Sequence, residues 1–456
     1  MKPEEKKDAV KTVIAMMTIG KDVSSLFPHV VKCMETTSIE LKKLVYLYII
    51  NYARVKPDLT IIAINTFRKD AHEKLNPLIR ALAVRTMSCI RVEKITEYLC
   101  ESLKDCLIDD DPYVKKTAAI SVAKLYAISP RLVREHGFPR LTQNLMNDGN
   151  ALVVSNAAAA LLEISRASGK DYLKITPELM GKLLNAVNET NEWGQVFILE
   201  AIHTYEAEES KEVEDIIERV LPRLSHQNPA VVLAAVKVIL RNMEFVLNAD
   251  TIRTLTKKLA APLVSLLSSQ PEIQYVALRN INFILQKRGT IFDKNIKMFF
   301  CKYNDPIFVK LEKVDVLTRV ADNQNVDVVM SEMKEYASDI DMDLVRKAVR
   351  SIGTIACRVE RISKRAVEIV LEILKQQGAE QAVQEAVVIS KDILRRYPKR
   401  YDQIISAVIS ARDRFYEPEA KASFVWIAGE YAEDIENAEE QIEHFVQNFS
   451  DENARV

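Results

Sequence analysis

The sequence is organised by a unit of about 38 residues that recurs along the whole chain. The typical unit opens with a polar residue, followed by an apolar residue three positions later and a small or apolar residue seven positions later. Successive starts lie 35 to 42 residues apart. The eleven starts are Ser38, Asn76, Asp111, Asn150, Asn191, Asn228, Gln270, Asp305, Asp341, Glu380 and Glu417. This regularity predicts a tandem array rather than one globular core.

The unit between residues 110 and 130 shows what each start encodes. Asp111 has the side chain of a helix N-cap, and Pro112 suits the first helical position. Apolar and small residues then recur at helical spacing as far as Leu125. Lys115 and Lys116 fall between the apolar positions, so we expect both to face water. The pattern predicts one amphipathic helix with a sharp start.

A second helix precedes the next start in most units. Four such partner helices are predicted at Asp58–Phe67, Ile95–Leu107, Arg140–Met146 and Leu255–Leu267. Neither helix of a unit can bury its apolar face alone, so consecutive pairs are expected to stack on a shared core. The sequence therefore predicts an all-α, HEAT/armadillo-like α-α superhelix. We expect residues 1–456 to form a single solenoid domain.

Catalytic, metal and nucleotide sites have no motif in this sequence. The ten glycines include no P-loop and no GxGxxG, and the six histidines never fall at HxxH or HxxxH spacing. The acidic run 109–111 is better explained by the favourable dipole at a helix N-terminus than by a metal site. We expect no enzyme activity, no cofactor and no bound metal. A net charge of -1 gives no global case for nucleic-acid binding.

The cysteines and the absence of apolar export or membrane segments predict where the protein works. The six cysteines form no CxxC pair and no disulfide framework, as expected for free thiols in a reducing compartment. The charged N-terminus lacks the apolar segment of a signal peptide, and no apolar run is long enough to cross a membrane. We expect a cytoplasmic protein whose membrane contact is peripheral.

Three surfaces are candidates for binding. Lysines accumulate near the N-terminus, which indicates either an anionic-membrane patch or an ordinary solvated face; they are Lys2, Lys6, Lys7, Lys11, Lys21, Lys32, Lys42 and Lys43. The segment 60–67 (TIIAINTF) is apolar almost all round, so one face could serve a partner while the other lies in the core. The third surface joins the segment 395–401 (RRYPKRY) to Trp426 and Tyr431, although Trp426 could equally be a core residue.

Long segments of the chain resemble the trunk of the beta-adaptins. The first are LKKLVYLYIINYA (41–53), NPLIRALAVRTMSCIRVEKITEYL (76–99), DDPYVKKTAAISVAKL (110–125) and NEWGQ (191–195). The others are YNDPIFVKLEKVDVL (303–317), VRKAVRSIGTIA (345–356) and WIAGEYAEDIENAEE (426–440). They follow the family's order and span nearly the whole chain. The chain therefore resembles this family in particular, because long matching segments are more specific than a helical repeat period.

The resemblance implies a scaffold subunit of a heterotetrameric clathrin adaptor complex. Such a scaffold pairs with a second large adaptin and cradles a medium (mu) and a small (sigma) subunit. The complex selects cargo at trans-Golgi/endosomal or plasma membranes and acts in vesicle-mediated protein transport. The alternative is another HEAT scaffold, such as a karyopherin, a coatomer-type subunit or a phosphatase scaffold.

The resemblance also implies particular contact residues. Ile61 and Ile64 match positions where an Arf-type GTPase docks in the trans-Golgi class. The phosphoinositide-contacting lysines of the plasma-membrane class correspond to the region of Lys2, Lys6, Lys7 and Lys11. Val359 and Tyr401 resemble the part of the trunk that covers the mu subunit's tyrosine-motif pocket. The family's hinge and ear have no counterpart in this sequence, so contact with clathrin is expected to be only indirect.

Overall fold

The computed structural model describes residues 3–207, 209–287, 292–378, 380–447 and 453. These residues form α-helices joined by short turns and 3-10 segments, and they contain no β-strand. The expected all-α solenoid class is confirmed. The chain divides into two compact units, Met1–Ala249 and Asp250–Val456. The single-domain organisation stays a prediction.

The first unit contains fourteen described α-helices. They are α1 (Pro3–Thr18), α2 (Phe27–Val31), α3 (Ile39–Tyr52), α4 (Pro57–Ala71), α5 (Pro77–Cys89), α6 (Glu93–Leu107), α7 (Pro112–Ile128), α8 (Pro130–Glu135), α9 (Phe138–Asn144), α10 (Ala151–Ser168), α11 (Pro177–Glu189), α12 (Glu192–Thr204), α13 (Ser210–Val220) and α14 (Pro229–Asn242). Short 3-10 segments lie at Ser24–Leu26, Lys32–Met34, Leu145–Asn147 and Leu221–Ser225.

The helices that begin at the repeat starts pack against one another in succession. In the first unit this start layer is α3, α5, α7, α10, α12 and α14, and each helix contacts the next. The intervening helices α4, α6, α9, α11 and α13 cover its other side. The predicted partner helices of this unit therefore exist, with the one expected at 140–146 divided between α9 and a 3-10 turn.

The second unit repeats this arrangement, and its described residues form ten α-helices. They are α15 (Ala249–Leu266), α16 (Pro271–Lys287), α17 (Ile307–Val320), α18 (Val326–Tyr336), α19 (Met342–Arg358), α20 (Ser363–Lys375), α21 (Glu380–Arg396), α22 (Gln403–Ser410), α23 (Pro418–Glu430) and α24 (Ala438–Gln447). Its 3-10 segments are Asp293–Phe299, Glu360–Ile362, Arg412–Arg414 and Ala432–Asp434. Here the start layer is α16, α17, α19, α21 and α23.

Most predicted starts are true N-caps. A side-chain oxygen of the cap accepts a hydrogen bond from a backbone N–H of the first turn, which satisfies one of the helix's orphan donors. This bond forms at Ser38, Asn76, Asp111, Asn150, Asn191, Asn228 and Asp341. Asp305 is an exception, because Pro306 occupies the cap position and the Asp305 carboxylate instead accepts a hydrogen bond from buried Lys313 at 2.6 Å.

A charged side chain four residues after the cap ties several repeats together. Arg80 donates to Asp109 at 2.8 Å and 2.9 Å, and Lys115 donates to Asp148 at 2.6 Å. Both aspartates also accept a backbone hydrogen bond at the next repeat start. The expectation that Lys115 faces water was therefore wrong. Its side chain is mostly buried because the carboxylate of Asp148, 33 residues later and just before the next repeat start, neutralises it.

Small residues allow the start-layer helices to approach closely. Ala157 through Ala160 are all buried in α10. At Gly194 in α12, an added Cβ would lie 2.8 Å from the Cβ of Thr190 and 3.2 Å from the Ser155 hydroxyl. At Gly353 in α19, an added Cβ would lie 2.7 Å from Ile389 in α21. These distances are shorter than ordinary van der Waals contact, so both positions require glycine.

Candidate partner-binding surfaces

Helix α4 presents two exposed isoleucines to solvent. Ile61 and Ile62 are 40% and 64% exposed, whereas Ile64 is 3% exposed and belongs to the buried face with Ala63 and Phe67. Both faces of the helix are apolar, as the segment 60–67 suggested, but Ile61 and Ile64 do not form one accessible pair. A partner docking on α4 would therefore meet Ile61 and Ile62 rather than Ile64.

The N-terminal lysines differ in how freely they could meet an anion. Lys2 lies outside the described residues. Lys6 and Lys11 are exposed on α1. Lys7 is half-buried and pairs with Glu40, and the hydrogen bond between them raises the pKa of Lys7. Lys6 and Lys11 are thus more accessible than Lys7, although the Lys11 ammonium lies 4.0 Å from the Asp8 carboxylate.

Lys42 does not belong to a surface patch. It is only 4% exposed, and its ammonium donates to Asp70 at 2.5 Å and to the carbonyl oxygen of Met34 at 3.2 Å. The Tyr46 hydroxyl also donates to Asp70, and burial together with this contact raises the pKa of Tyr46. From the sequence, Lys42 was grouped with exposed lysines. Its burial could not be recognised there, because Asp70, which neutralises it, lies on the next helix, 28 residues away.

The structure brings the region of Val359 close to that of Tyr401. Val359 is buried at the end of α19, and Tyr401 is half-buried with its hydroxyl 2.7 Å from the Ser363 hydroxyl. Arg400 donates to Glu360 at 2.6 Å, and its guanidinium lies 5.5 Å from the centre of the Tyr401 ring. An exposed ion pair therefore covers a tyrosine whose hydroxyl is held in place.

The remaining aromatic candidates divide between surface and core. Tyr431 is buried and its hydroxyl donates to the Leu394 carbonyl at 3.3 Å, so it is a packing residue. Trp426 is half-buried, with the Arg395 guanidinium 5.6 Å from the centre of its ring. Trp426 thus has both a packed face and an accessible face.

Exposed apolar side chains recur at the ends of the start-layer helices, where sequence reasoning did not look for them. Each lies between three residues before and three residues after a repeat start. In the first unit they form what we call the apolar edge: Leu75, Leu78, Ile108, Tyr113, Leu152 and Trp193. Equivalent positions in the second unit hold Tyr303, Phe308, Ile340, Met342 and Tyr416. Aligning the repeats and scoring these offsets could have found them.

Repeated exposure at one position is informative because isolated exposed apolar residues are common, whereas contiguous apolar patches mark interaction sites. Neighbouring start-layer helices pack side by side, so residues at equal offsets from their starts lie at the same end of adjacent helices. Trp193 illustrates the exposure, since 73% of its surface is accessible although it begins a helix otherwise buried on one face. The apolar edge is therefore a candidate binding surface.

Side chains that can ligate metals are dispersed over the described part of the chain. No group of three or more His, Cys, Asp or Glu side chains there could hold a metal ion. All six cysteines are free thiols, and burial raises the pKa of Cys100 and Cys301 to about 11 and that of Cys106 to about 12. None of the described helices is both long and apolar enough to cross a membrane.

Comparison with known proteins relates this solenoid to one family. The family described as the adaptin N terminal region matches residues 1–456, which is the whole chain. The chain belongs to the adaptin family. The beta-adaptin resemblance of the quoted segments is therefore confirmed.

Individual relatives of this adaptin are beta subunits of AP complexes. The mouse (Mus musculus) AP-1 complex subunit beta-1 is 54% identical over 457 residues, which cover 100% of this chain and 48% of the relative. The AP-1 complex subunit beta of Dictyostelium discoideum is 52% identical over 453 residues, with 99% and 48% covered. The AP-1 complex subunit beta-1 of Saccharomyces cerevisiae is 40% identical over 467 residues, with 99% and 64% covered.

A structural comparison supports the fold. A chain of a homology model of the full-length AP-3 complex in an intermediate open conformation aligns with a TM-score of 0.65 and 20% identity, covering 100% of this adaptin and 79% of that chain. At that identity the match supports the fold alone. This adaptin spans about half the length of its first animal and amoebal relatives.

Proposed function

We propose that this adaptin is a non-enzymatic scaffold subunit of a clathrin-associated adaptor complex acting in vesicle-mediated protein transport. It would pair with a second large adaptin and hold a medium and a small subunit. Family membership supports this role and does not favour a karyopherin, coatomer-type or phosphatase scaffold. The protein would work in the cytoplasm, peripherally on Golgi/endosomal or plasma membranes.

The apolar edge is the observation that carries this proposal. A chain that works alone gains nothing from repeated exposure of large apolar side chains, whereas a subunit of an assembly buries such residues against its neighbours. Aromatic residues such as Tyr113 and Trp193 bury large areas at interfaces. The edge extends over four successive repeats, which suits a partner subunit longer than a short peptide.

Co-purification tests this proposal. The variant Tyr113→Ser/Leu152→Ser/Trp193→Ser is expected to stay helical but to lose most of its recovery with co-expressed large, medium and small adaptor subunits. A control variant, Val55→Ser/Tyr98→Ser/Leu247→Ser, removes apolar groups that are more exposed overall from other places in the first unit and is expected to co-purify normally. Equal recovery of the two variants would contradict the role of the edge.

The proposed Arf-type GTPase contact rests on α4. Ile61 is accessible and offers an apolar contact, whereas Ile64 would act only by supporting the fold. Ile61→Asp is expected to abolish binding to the GTP-loaded protein without loss of helicity. Val55→Asp, at an exposed apolar site just before α4, serves as the control. If Ile61→Asp bound the GTP-loaded protein as well as Val55→Asp does, Ile61 would not be a contact residue.

Two further contacts stay proposals. Lys6 and Lys11, together with Lys2 and Lys7, would contact anionic lipid head groups, since each basic group near such a surface contributes about 1 kcal/mol. Co-sedimentation of Lys6→Gln/Lys11→Gln with vesicles containing phosphoinositide tests this directly. Val359 and Tyr401 would adjoin the mu subunit, and because Val359 is buried, Tyr401→Ala is the informative variant for a mu-binding assay.

A further inference from the structure

A thiol and an amine on neighbouring helices touch in the first unit. Cys89 is the last residue of α5, and Lys124 lies on α7, which packs directly against α5. The Lys124 ammonium donates a hydrogen bond to the Cys89 Sγ atom at 3.2 Å, and both residues are half-buried. Leu78, which belongs to the apolar edge, lies at the other end of α5. The contact is therefore separate from the candidate partner surfaces.

The other hydrogen-bonded thiols of the described residues have a different kind of partner. Each donates to a backbone carbonyl oxygen; they are Cys33, Cys100, Cys106 and Cys301. At Cys89 the sulfur is the acceptor, and its partner is a side chain that becomes a nucleophile once deprotonated. Within the described part of the chain, no carboxylate forms an ion pair with Lys124. The sulfur therefore takes the place that a carboxylate has beside Arg80 and Lys115.

This arrangement suits oxidation by a peroxide. The thiolate is the form of cysteine that attacks a peroxide, and a neighbouring cation favours that form. The sulfenic acid that results is an electrophile, which condenses with a nearby thiol or nitrogen. At Cys89 the nitrogen already in contact with the sulfur is that of Lys124. The flexible lysine side chain can close the remaining distance without moving either helix.

We propose that Cys89 and Lys124 form an oxidative modification site, at which hydrogen peroxide joins the two side chains through a sulfur–nitrogen bond. The Cys89 thiolate attacks one peroxide oxygen, so an S–O bond forms and the O–O bond breaks. The leaving hydroxide takes a proton from the Lys124 ammonium and departs as water. The neutral amine then attacks the sulfur, and the sulfenic hydroxyl leaves with an amine proton as a second water. The sulfur loses two electrons, which reduce the peroxide.

The bond fastens two successive repeats together. It closes a loop between positions 35 residues apart, so the unfolded chain loses conformational entropy and the folded state gains stability. A thiol reductant reverses the bond by attacking the same sulfur. The first unit thus gains a reversible lock between α5 and α7 under oxidising conditions. The site is independent of the scaffold role, since it uses no residue of the partner surfaces.

Peptide mapping of the folded full chain tests the site. After treatment with hydrogen peroxide and alkylation of the remaining thiols, trypsin should release the segments 86–91 and 117–131 as one linked peptide, because the modified Lys124 is no longer cleaved. Its mass should be the sum of the two segments less two hydrogen atoms. Dithiothreitol added before alkylation should separate them, and unfolding the chain in urea before peroxide should prevent the link. Absence of the linked peptide from the folded chain, or equal amounts from the folded and unfolded chains, would overturn the proposal.

Two lysine variants test the role of the amine. Lys124→Arg keeps a cation beside the sulfur but removes the amine, so we expect the linked peptide to be lost and the Cys89 sulfenic acid to be trapped by dimedone instead. Lys104→Arg, at an exposed site on α6, is the matched control and should give the wild-type amount of linked peptide. In thermal unfolding, peroxide should raise the midpoint of the wild type and of the control, but not that of Lys124→Arg. An equal rise for Lys124→Arg would overturn the proposal.

Discussion

Lys42 and Lys115 occupy the same position in their repeats, four residues after the helix cap, and both pair with an aspartate. Their surroundings differ. The pair of Lys42 and Asp70 is almost fully buried and shares its carboxylate with Tyr46, whereas the pair of Lys115 and Asp148 keeps some contact with solvent. The repeat therefore fixes where the lysine lies. The more deeply its ion pair is buried, the more the stability of the fold depends on the aspartate that neutralises it.

The repeat that starts at Asn191 differs from both. Four residues after its cap, the position of the cation holds the amide side chain of Gln195. Gln195 donates to the Thr190 carbonyl at 3.2 Å, and the preceding residue is Gly194, at the closest approach between α12 and its neighbours. Here packing of small groups replaces an ion pair. Comparing these three repeats predicts which kind of substitution each one tolerates.

The buried pair should be the most sensitive. Asp70→Asn leaves the Lys42 ammonium in the core without a counter-charge, so we expect a loss of about 3–5 kcal/mol in the free energy of unfolding. Urea denaturation followed by circular dichroism measures it. Lys42→Met/Asp70→Leu removes both charges and is expected to recover a large part of the loss. A loss below about 1 kcal/mol for Asp70→Asn would contradict the assigned burial.

The packed repeat should respond to volume rather than to charge. Gly194→Ala forces a Cβ to within 2.8 Å of Thr190, so we expect a loss of about 1–3 kcal/mol. Gly181→Ala is the matched control, because it lies within α11 and its Cβ would meet nothing within 4 Å. There the better helix propensity of alanine should add about 0.5–1 kcal/mol. Similar changes in the free energy of unfolding for Gly194→Ala and Gly181→Ala would contradict the close approach of Gly194 to Thr190.

The partly exposed pair should show the smallest effect and a dependence on pH. Burial tends to raise the pKa of Asp148, but the hydrogen bonds from Lys115 and from the Asn150 backbone hold it below its usual range. A carboxylate with a lowered folded-state pKa stabilises the fold above its unfolded pKa, near 3.9, and loses that contribution as the pH falls through the folded value.

Asp148→Asn is accordingly expected to cost about 1–2 kcal/mol at pH 7. Below about pH 4 the difference between the variant and the wild type should shrink. Thermal unfolding at a series of pH values checks this expectation. A difference that stays constant down to pH 2 would show that the carboxylate's charge is not what stabilises this repeat.

Local patterns predicted the helices well because their signals lie within a few residues. The caps at Asp111 and Asn150 could be recognised from the cap residue and the apolar spacing that follows it. Ile64 and Lys42 could not be placed this way. Apolar spacing identifies the faces of α4 but not which face is covered, and the carboxylate that neutralises Lys42 is supplied by another helix.

The partner surfaces were less predictable for the same physical reason. A large side chain such as Trp193 has the same apolar character whether it is buried or exposed, so its exposure follows from the stacking of neighbouring repeats.

Native mass spectrometry of the assembled subunits tests the central claim most directly. The chain is co-expressed with a second large adaptin, a medium subunit and a small subunit, and the purified material is weighed intact. We predict a complex containing one copy of each subunit, with the Tyr113→Ser/Leu152→Ser/Trp193→Ser variant absent from it. Recovery of the wild-type chain only by itself, while the other three subunits associate without it, would contradict the scaffold role.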